Sequence, residues 1–235
     1  MAKSNIIKQL VNNEITTKQA LERMLILAKD IKDKNLEKWI KNEIQGYEKG
    51  DTIPKYRKIP ICYVGTYRKQ SIVAFNIVSR LHKNAMLPTF FLDDMSQKER
   101  DEFSHKFVDI SIEMLEQIIK DKEEVAEVLS PKHFQAFQYK TNVEVLSAKK
   151  VFDRIYLSKI VEKVRVKVLD ILTELEKEFG CLDDLDIDIN SKSKKEQQII
   201  YNTIKVIILD NHTENNIKIG DNNEILDSTI ANMKN

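Results

Sequence analysis

The sequence predicts a mostly helical α+β fold: a multi-helix N-terminal domain with a small β-hairpin, then a short β-rich C-terminal appendage. Three observations carry this expectation. Only 5 Gly and 4 Pro occur in 235 residues, so breaks are scarce and long helices are favoured over a many-turned sandwich or barrel. Apolar residues recur at helical spacing, behind good capping residues, through much of the first three quarters of the chain. After Gly180 the texture changes to short β-branched runs separated by polar residues.

The first helices follow from their caps and stripes. Thr16 and Thr17 can cap a helix whose apolar stripe is Leu21, Met24, Leu25, Ala28 and Ile31. Asn35 can cap the next, with Leu36, Trp39, Ile40, Ile44 and Tyr47 on one face and Gly46 ending it. Glu43 falls four residues after Trp39, inside that stripe. A carboxylate there sits at a rim or is paired, because burying it alone is expensive.

Ile59, Ile61 and Tyr63 then alternate along an extended run, and beyond Gly65 and the polar Arg68-Lys69-Gln70 a second β-rich run spans Ile72 to Val78. A hairpin is the simplest arrangement, with Pro60 placing its strand at a sheet edge. Ser96 and Glu99 form a capping box. The helix expected behind it carries Phe103, Phe107, Ile110, Met114 and Ile118 on one side and Val108, Ile112, Leu115 and Ile119 on the other. A helix apolar on two sides belongs between layers. Ser130-Pro131 opens a short helix through Phe134 and Phe137. The last long helix is expected over Ser158 to Phe179, with Val161, Val164, Val168, Ile171 and Leu175 in line and Gly180 at its end. Ser147 to Tyr156 reads equally as that helix's lead-in or as an extended segment.

These readings divide the chain into a helical domain, 1–180, and a linker with a β-rich tail, 181–235. Asp184, Asp186 and Asp188 imitate an EF-hand loop, but Ile189 and Lys195 stand where Gly and Glu are needed. Their alternation with Leu185, Ile187 and Ile189 reads as a half-buried strand. Ser191 to Gln198 reads as a polar linker and Thr203 to Leu209 as a strand. In the tail, Ile217 and Ile219 share one face before a Gly-Asp-Asn-Asn turn, and Ile225 and Ile230 follow. So small a unit cannot bury those isoleucines alone. Assembly between chains through Ile217, Ile219, Ile225 and Ile230 is the expected solution.

The string Ala20 … Leu27-Ala28 … Leu36 … Trp39 … Glu43 … Gly46-Tyr47 … Pro54-Lys55-Tyr56-Arg57 … Gly65 resembles the signature of the AbiTii family. Asn84 with Leu87-Pro88 fits the family's next stretch, and Val164-Arg165 … Leu169 … Leu175-Glu176 resembles its late helix. The tail resembles Ile-x-Ile-Gly-Asp-Asn-Asn-x-Ile extensions that follow several domains in bacterial defence proteins. The resemblance implies a role in abortive infection, a response that stops phage multiplication at the host cell's expense. It implies no catalytic mechanism and no set of active residues.

Composition narrows the function classes. There are 38 basic and 37 acidic residues, a net charge of +1. Nucleic-acid binding draws most of its affinity from phosphate neutralisation, so it is the alternative reading rather than the first. Cys62 and Cys181 lie far apart and read as reduced residues. No apolar leader or bilayer-length run occurs, so the expectation is a cytoplasmic protein with no membrane partner.

Catalytic, cofactor and metal residues are expected to be none. His105 has Asp101, Glu102 and Asp109 at helical spacing, but no HExxH or Cys/His set accompanies it. Asp30-Ile31-Lys32 has a nuclease's letters without the strand such enzymes use, and neither a phosphate-cradling Gly loop nor a Gly-x-Ser-x-Gly elbow is present. The balance is against an enzyme. Glu43, Arg57 and Arg165 are instead candidates for a structural ion pair, with either arginine as the partner of Glu43. The expected partners are other copies of the chain, bound through the tail, and a phage or host protein.

Overall fold

The computed structural model describes residues 3–121, 124–138 and 142–209. In chain order its elements are α1 (Asn5–Val11), α2 (Thr17–Ile31), α3 (Lys34–Gln45), β1 (Lys58–Pro60), β2 (Cys62–Val73), β3 (Asn76–Met86), α4 (Gln97–Ser104), β4 (His105–Phe107), α5 (Ile112–Lys120), β5 (Ala126–Val128), α6 (Phe134–Gln138), β6 (Val143–Val151), α7 (Arg154–Phe179) and α8 (Lys194–Leu209).

The helices start where side chains satisfy free amides. Thr16 and Gln19 form a reciprocal capping box at α2, and Ser96 and Glu99 do so at α4. Asp33, rather than Asn35, caps α3. Apolar stripes from α1, α2, α3, α5, α7 and α8 meet in one core built around Leu21, Met24, Leu36, Trp39, Ile112, Val164, Val168 and Ile204. A second core, of Tyr63, Leu87, Leu129, Phe137, Val143, Val145 and Ala148, lies against the sheet.

The strands are antiparallel and form two sheets. One has the order β3-β2-β6-β5, and the other is the pair β1-β4. Gly65 lies beside a break in the β2 register, where a Cβ would stand 2.1 Å from the Ser147 carbonyl oxygen. Only glycine allows β2 and β6 to approach so closely there.

The architecture corrects the expected fold. Among the described residues the β-structure lies in the middle of the chain, as a four-stranded sheet and a two-stranded one, rather than as a small hairpin followed by a β-rich run after Gly180. Arg68-Lys69-Gln70, expected between strands, lies inside β2, and the hairpin turns at Ala74-Phe75 instead. The helix expected from Ser96 onward ends at Ser104. Residues 105–107 pair with β1, drawn out of helix by a partner far away in sequence. Ser147 to Val151 belongs to β6, and α7 begins at Arg154.

Beyond Gly180 the correction is largest. Residues 184–188 form a turn and coil, with a short 3-10 helix at Ile189–Ser191, and Leu182, Ile187 and Ile189 enter the main core. Thr203 to Leu209 is helical, as part of α8. The reason is spacing: Ile200, Ile204 and Ile208 fall four apart and are buried together. The Ser193 amide donates to Glu196 at 2.8 Å and the Glu196 amide to Ser193 Oγ at 3.3 Å, closing the helix start. Burial of one stripe outweighs the weak β preference of branched residues. Ile217, Ile219, Ile225 and Ile230 lie outside the described residues.

Candidate functional site

Glu43 is placed by α3, which turns its apolar stripe inward and carries this carboxylate with it. Both Glu43 and Arg57 are fully enclosed, with side-chain exposures of 0%. Gly46 ends α3 at φ +95°, and a Cβ there would stand 2.8 Å from the Asp109 carbonyl oxygen. The chain can then turn so that the Tyr47 amide donates to that carbonyl at 2.7 Å. Pro54 leads a 3-10 turn at Lys55–Arg57, which presents Tyr56 and Arg57 to the end of α3.

Every oxygen of the carboxylate is occupied. Glu43 Oε1 accepts from the Tyr47 hydroxyl at 2.5 Å, the Tyr56 hydroxyl at 2.8 Å and Arg57 Nε at 3.2 Å. Glu43 Oε2 accepts from Arg57 Nη2 at 2.5 Å, on the same guanidinium edge as Nε. The remaining Arg57 nitrogen donates to the carbonyls of Val108 at 3.0 Å and Ile110 at 2.8 Å. Arg57 also lies 4.8 Å from the centre of the Tyr47 ring. The Trp39 indole donates to Tyr56 at 2.8 Å, and the Lys167 ammonium lies 5.2 Å from the Tyr56 ring.

Electrostatics follow from this enclosure. Burial, then the neighbouring Glu43 charge, raises both tyrosine hydroxyls far above their ordinary value, so they stay protonated donors. For Arg57, burial disfavours the charge, but Glu43 more than offsets it and the guanidinium is held above its ordinary value. The arrangement joins α3, the 55–57 turn and the segment before α5. Its donors and acceptors face one another rather than an open cavity.

Outside Tyr47 a groove of about 740 Å³ lies between the polar face of α3 and residues 46–51 and 109–114. Its three lysines are paired: Lys38 with Asp51 at 2.9 Å, and Lys34 and Lys41 with Glu37 at 3.5 and 3.6 Å. Lys38 and the Glu48 amide hold the Asp51 carboxyl below its ordinary value. Ser111 spends its hydroxyl as the cap of α5, accepting from the Met114 amide at 3.2 Å.

Residues 4–201 match the family described as AbiTii. The chain belongs to the AbiTii family. The family's name points to abortive infection, and so to phage defence. The match reaches from just before α1 into α8, which places the helical body and the sheet together inside the AbiTii region. No curated protein and no solved structure was found to match the chain.

Trp39, Glu43, Tyr47, Tyr56 and Arg57, which carry the resemblance to the AbiTii family in the sequence, meet in one buried network. Of the two candidate partners, Arg57 meets Glu43. Arg165 lies elsewhere on α7, where its guanidinium bonds Asn13 and the Leu10 carbonyl and ties down the end of α1. Sequence reasoning missed the two tyrosines, although Tyr47 is four residues from Glu43 and Tyr56 adjoins Arg57. It also missed Glu176, which accepts from the Ser4 amide and hydroxyl at 2.5 and 2.6 Å and from Lys3 at 2.6 Å.

His105 Nδ1 lies 3.2 Å from Asp101. Among the described residues, no group of three or more His, Cys, Asp and Glu is placed to hold a metal ion. Among the described residues, no helix is long and apolar enough to cross a membrane.

Proposed function

We propose that this AbiTii protein acts in abortive infection as a cytoplasmic interaction protein, not as a catalyst, and that residues 210–235 assemble it into an oligomer. The observation that carries the first part is the closed network around Glu43. A reaction centre keeps a polar group facing the place where a substrate atom will sit. Here both carboxylate oxygens and all three guanidinium nitrogens are spent on protein partners. A buried, doubly bonded ion pair is instead suited to fixing the relative position of three segments. Paired lysines along the adjoining groove support the same reading.

The assembly part rests on the apolar pattern of Ile217, Ile219, Ile225 and Ile230. The test is to remove residues 210–235 and measure mass in solution by light scattering and phage plating on cells carrying the protein. The expected outcome is a folded chain with fewer copies per particle that no longer protects. An unchanged number of chains per particle would remove the tail from this role.

A further inference from the structure

The hairpin of β2 and β3 runs beyond its sheet. β6 accompanies β2 only as far as the Lys69–Val143 pair, so Ser71 to Val78 projects as a two-stranded ribbon about 13 Å long at ordinary strand rise. Its end is apolar and bare. Phe75 is 103% exposed, Ile72 80%, Ile77 74% and Val73 52%.

Two features of this ribbon are unfavourable in water. The turn holds Ala74 and Phe75 at φ 47° and 67°, a conformation that two-residue hairpins normally give to Asn and Gly. A large aromatic there carries backbone strain while packing on nothing. At the base of the projection Lys69 stands directly opposite Arg80. Like charges facing across a strand pair repel. Arg68 pairs with Glu144, but neither Lys69 nor Arg80 has an ion-pair partner among the described residues. Neither aspartate nor glutamate occurs anywhere from Thr52 to Leu92.

We infer that the β2–β3 hairpin is a docking element for an anionic lipid surface, its tip entering the membrane interface and Lys69 and Arg80 meeting lipid phosphates. Geometry selects lipid over a flat partner. Ile72 and Ile77 lie on one face of the ribbon, Val73 lies on the other, and Phe75 stands at its end. A protein surface covers one face and leaves the other wet, whereas acyl chains surround the tip.

Charge complementarity selects an anionic surface, which would also relieve the Lys69–Arg80 repulsion. Depth is consistent: the stretch from Ile72 to Ile77 reaches about 10 Å, the depth that interfacial elements attain. Deeper entry would strip water from the outward backbone groups of an open ribbon. The expectation of no membrane partner rested on the lack of a spanning run, and an interfacial hairpin needs none.

The experiment is co-sedimentation of the full chain with vesicles of phosphatidylglycerol and phosphatidylcholine, beside vesicles of phosphatidylcholine alone. Binding is expected to the anionic vesicles and to weaken as salt rises. Phe75→Asp should weaken it roughly tenfold or more, and Lys69→Glu or Arg80→Glu roughly fivefold or more. Val128→Asp, on the equally exposed β5, should leave it unchanged. Phe75→Trp should add a fluorescence component that shifts to the blue with anionic vesicles, and thermal melts of each variant check folding. Absence of vesicle binding, or binding indifferent to Phe75→Asp, overturns the inference. So does wild-type protein that ignores vesicles yet loses mass in solution, or affinity for an oligonucleotide, on Phe75→Asp. Those results would assign the hairpin to a second copy or to nucleic acid.

Discussion

Arg57 donates to both carboxylate oxygens of Glu43, at 3.2 Å from Nε and 2.5 Å from Nη2, in a site closed to water. A pair in that position couples three segments: α3, the 55–57 turn and, through Arg57, the backbone carbonyls of Val108 and Ile110. Removing one partner leaves the other charged and unsatisfied.

Glu43→Gln and Arg57→Met should each destabilise the fold by about 3–5 kcal/mol, because each strands a buried charge. The double variant should lose less than the sum of the two. Urea denaturation of all four proteins measures the coupling. Additive losses would mean that the two residues act independently.

Trp39 is 5% exposed, and its indole is hydrogen-bonded to Tyr56. Trp39→Ala should cost about 3–5 kcal/mol in the same assay. Trp39→Phe keeps most of the apolar contact and should cost less. An alanine variant as stable as the parent would contradict the packing described.

At the other end of α7, Glu176 is held at about 2 against an ordinary 4.5. Burial by itself would raise it; the Lys3 ammonium and the Ser4 amide and hydroxyl more than offset that. Its folded-state value is depressed, so its stabilising contribution is complete above the unfolded value near 4.5 and is lost as pH falls towards 2. Glu176→Gln should lower the melting temperature at neutral pH and flatten its decline in acid. Parallel pH curves for variant and parent would show that Glu176 is not a source of that decline.

The position of α8 separates two truncations. Ending the chain at Leu209 removes none of the described core, whereas ending it at Ile199 removes Ile200, Ile204 and Ile208. The longer fragment should melt close to the full chain. The shorter should be destabilised by several kcal/mol, since each buried isoleucine contributes about 1.5–3 kcal/mol. Similar melting of both fragments would show that α8 does not stabilise the body.

How much of this was legible in the sequence depended on how local the cause was. The cap at Thr16, the stop at Gly46 and the stripe of Val164, Val168, Ile171 and Leu175 are fixed by neighbouring residues, and they read directly. Glu43 betrayed itself as a charge within an apolar stripe, although choosing Arg57 over Arg165 required the fold. Pairing over distance was hidden. Nothing near residues 105–107 announces a strand, because the partner is β1, and β2 continues through Arg68-Lys69-Gln70 because β3 and β6 flank it. In α8 two signals conflicted: branched residues pointed to a strand, while four-residue spacing and the Ser193–Glu196 cap pointed to a helix. The second signal prevailed through burial.

In the function proposed above, the network around Glu43 holds the AbiTii fold together and takes no part in a reaction. The most direct test is phage plating on cells carrying Glu43→Gln, at several growth temperatures, with the folded fraction of the purified variant measured at each. Protection should track the folded fraction, returning at the lower temperatures where the variant is folded. A variant that is fully folded at a given temperature yet gives no protection there would contradict the account and assign Glu43 a direct part in the response.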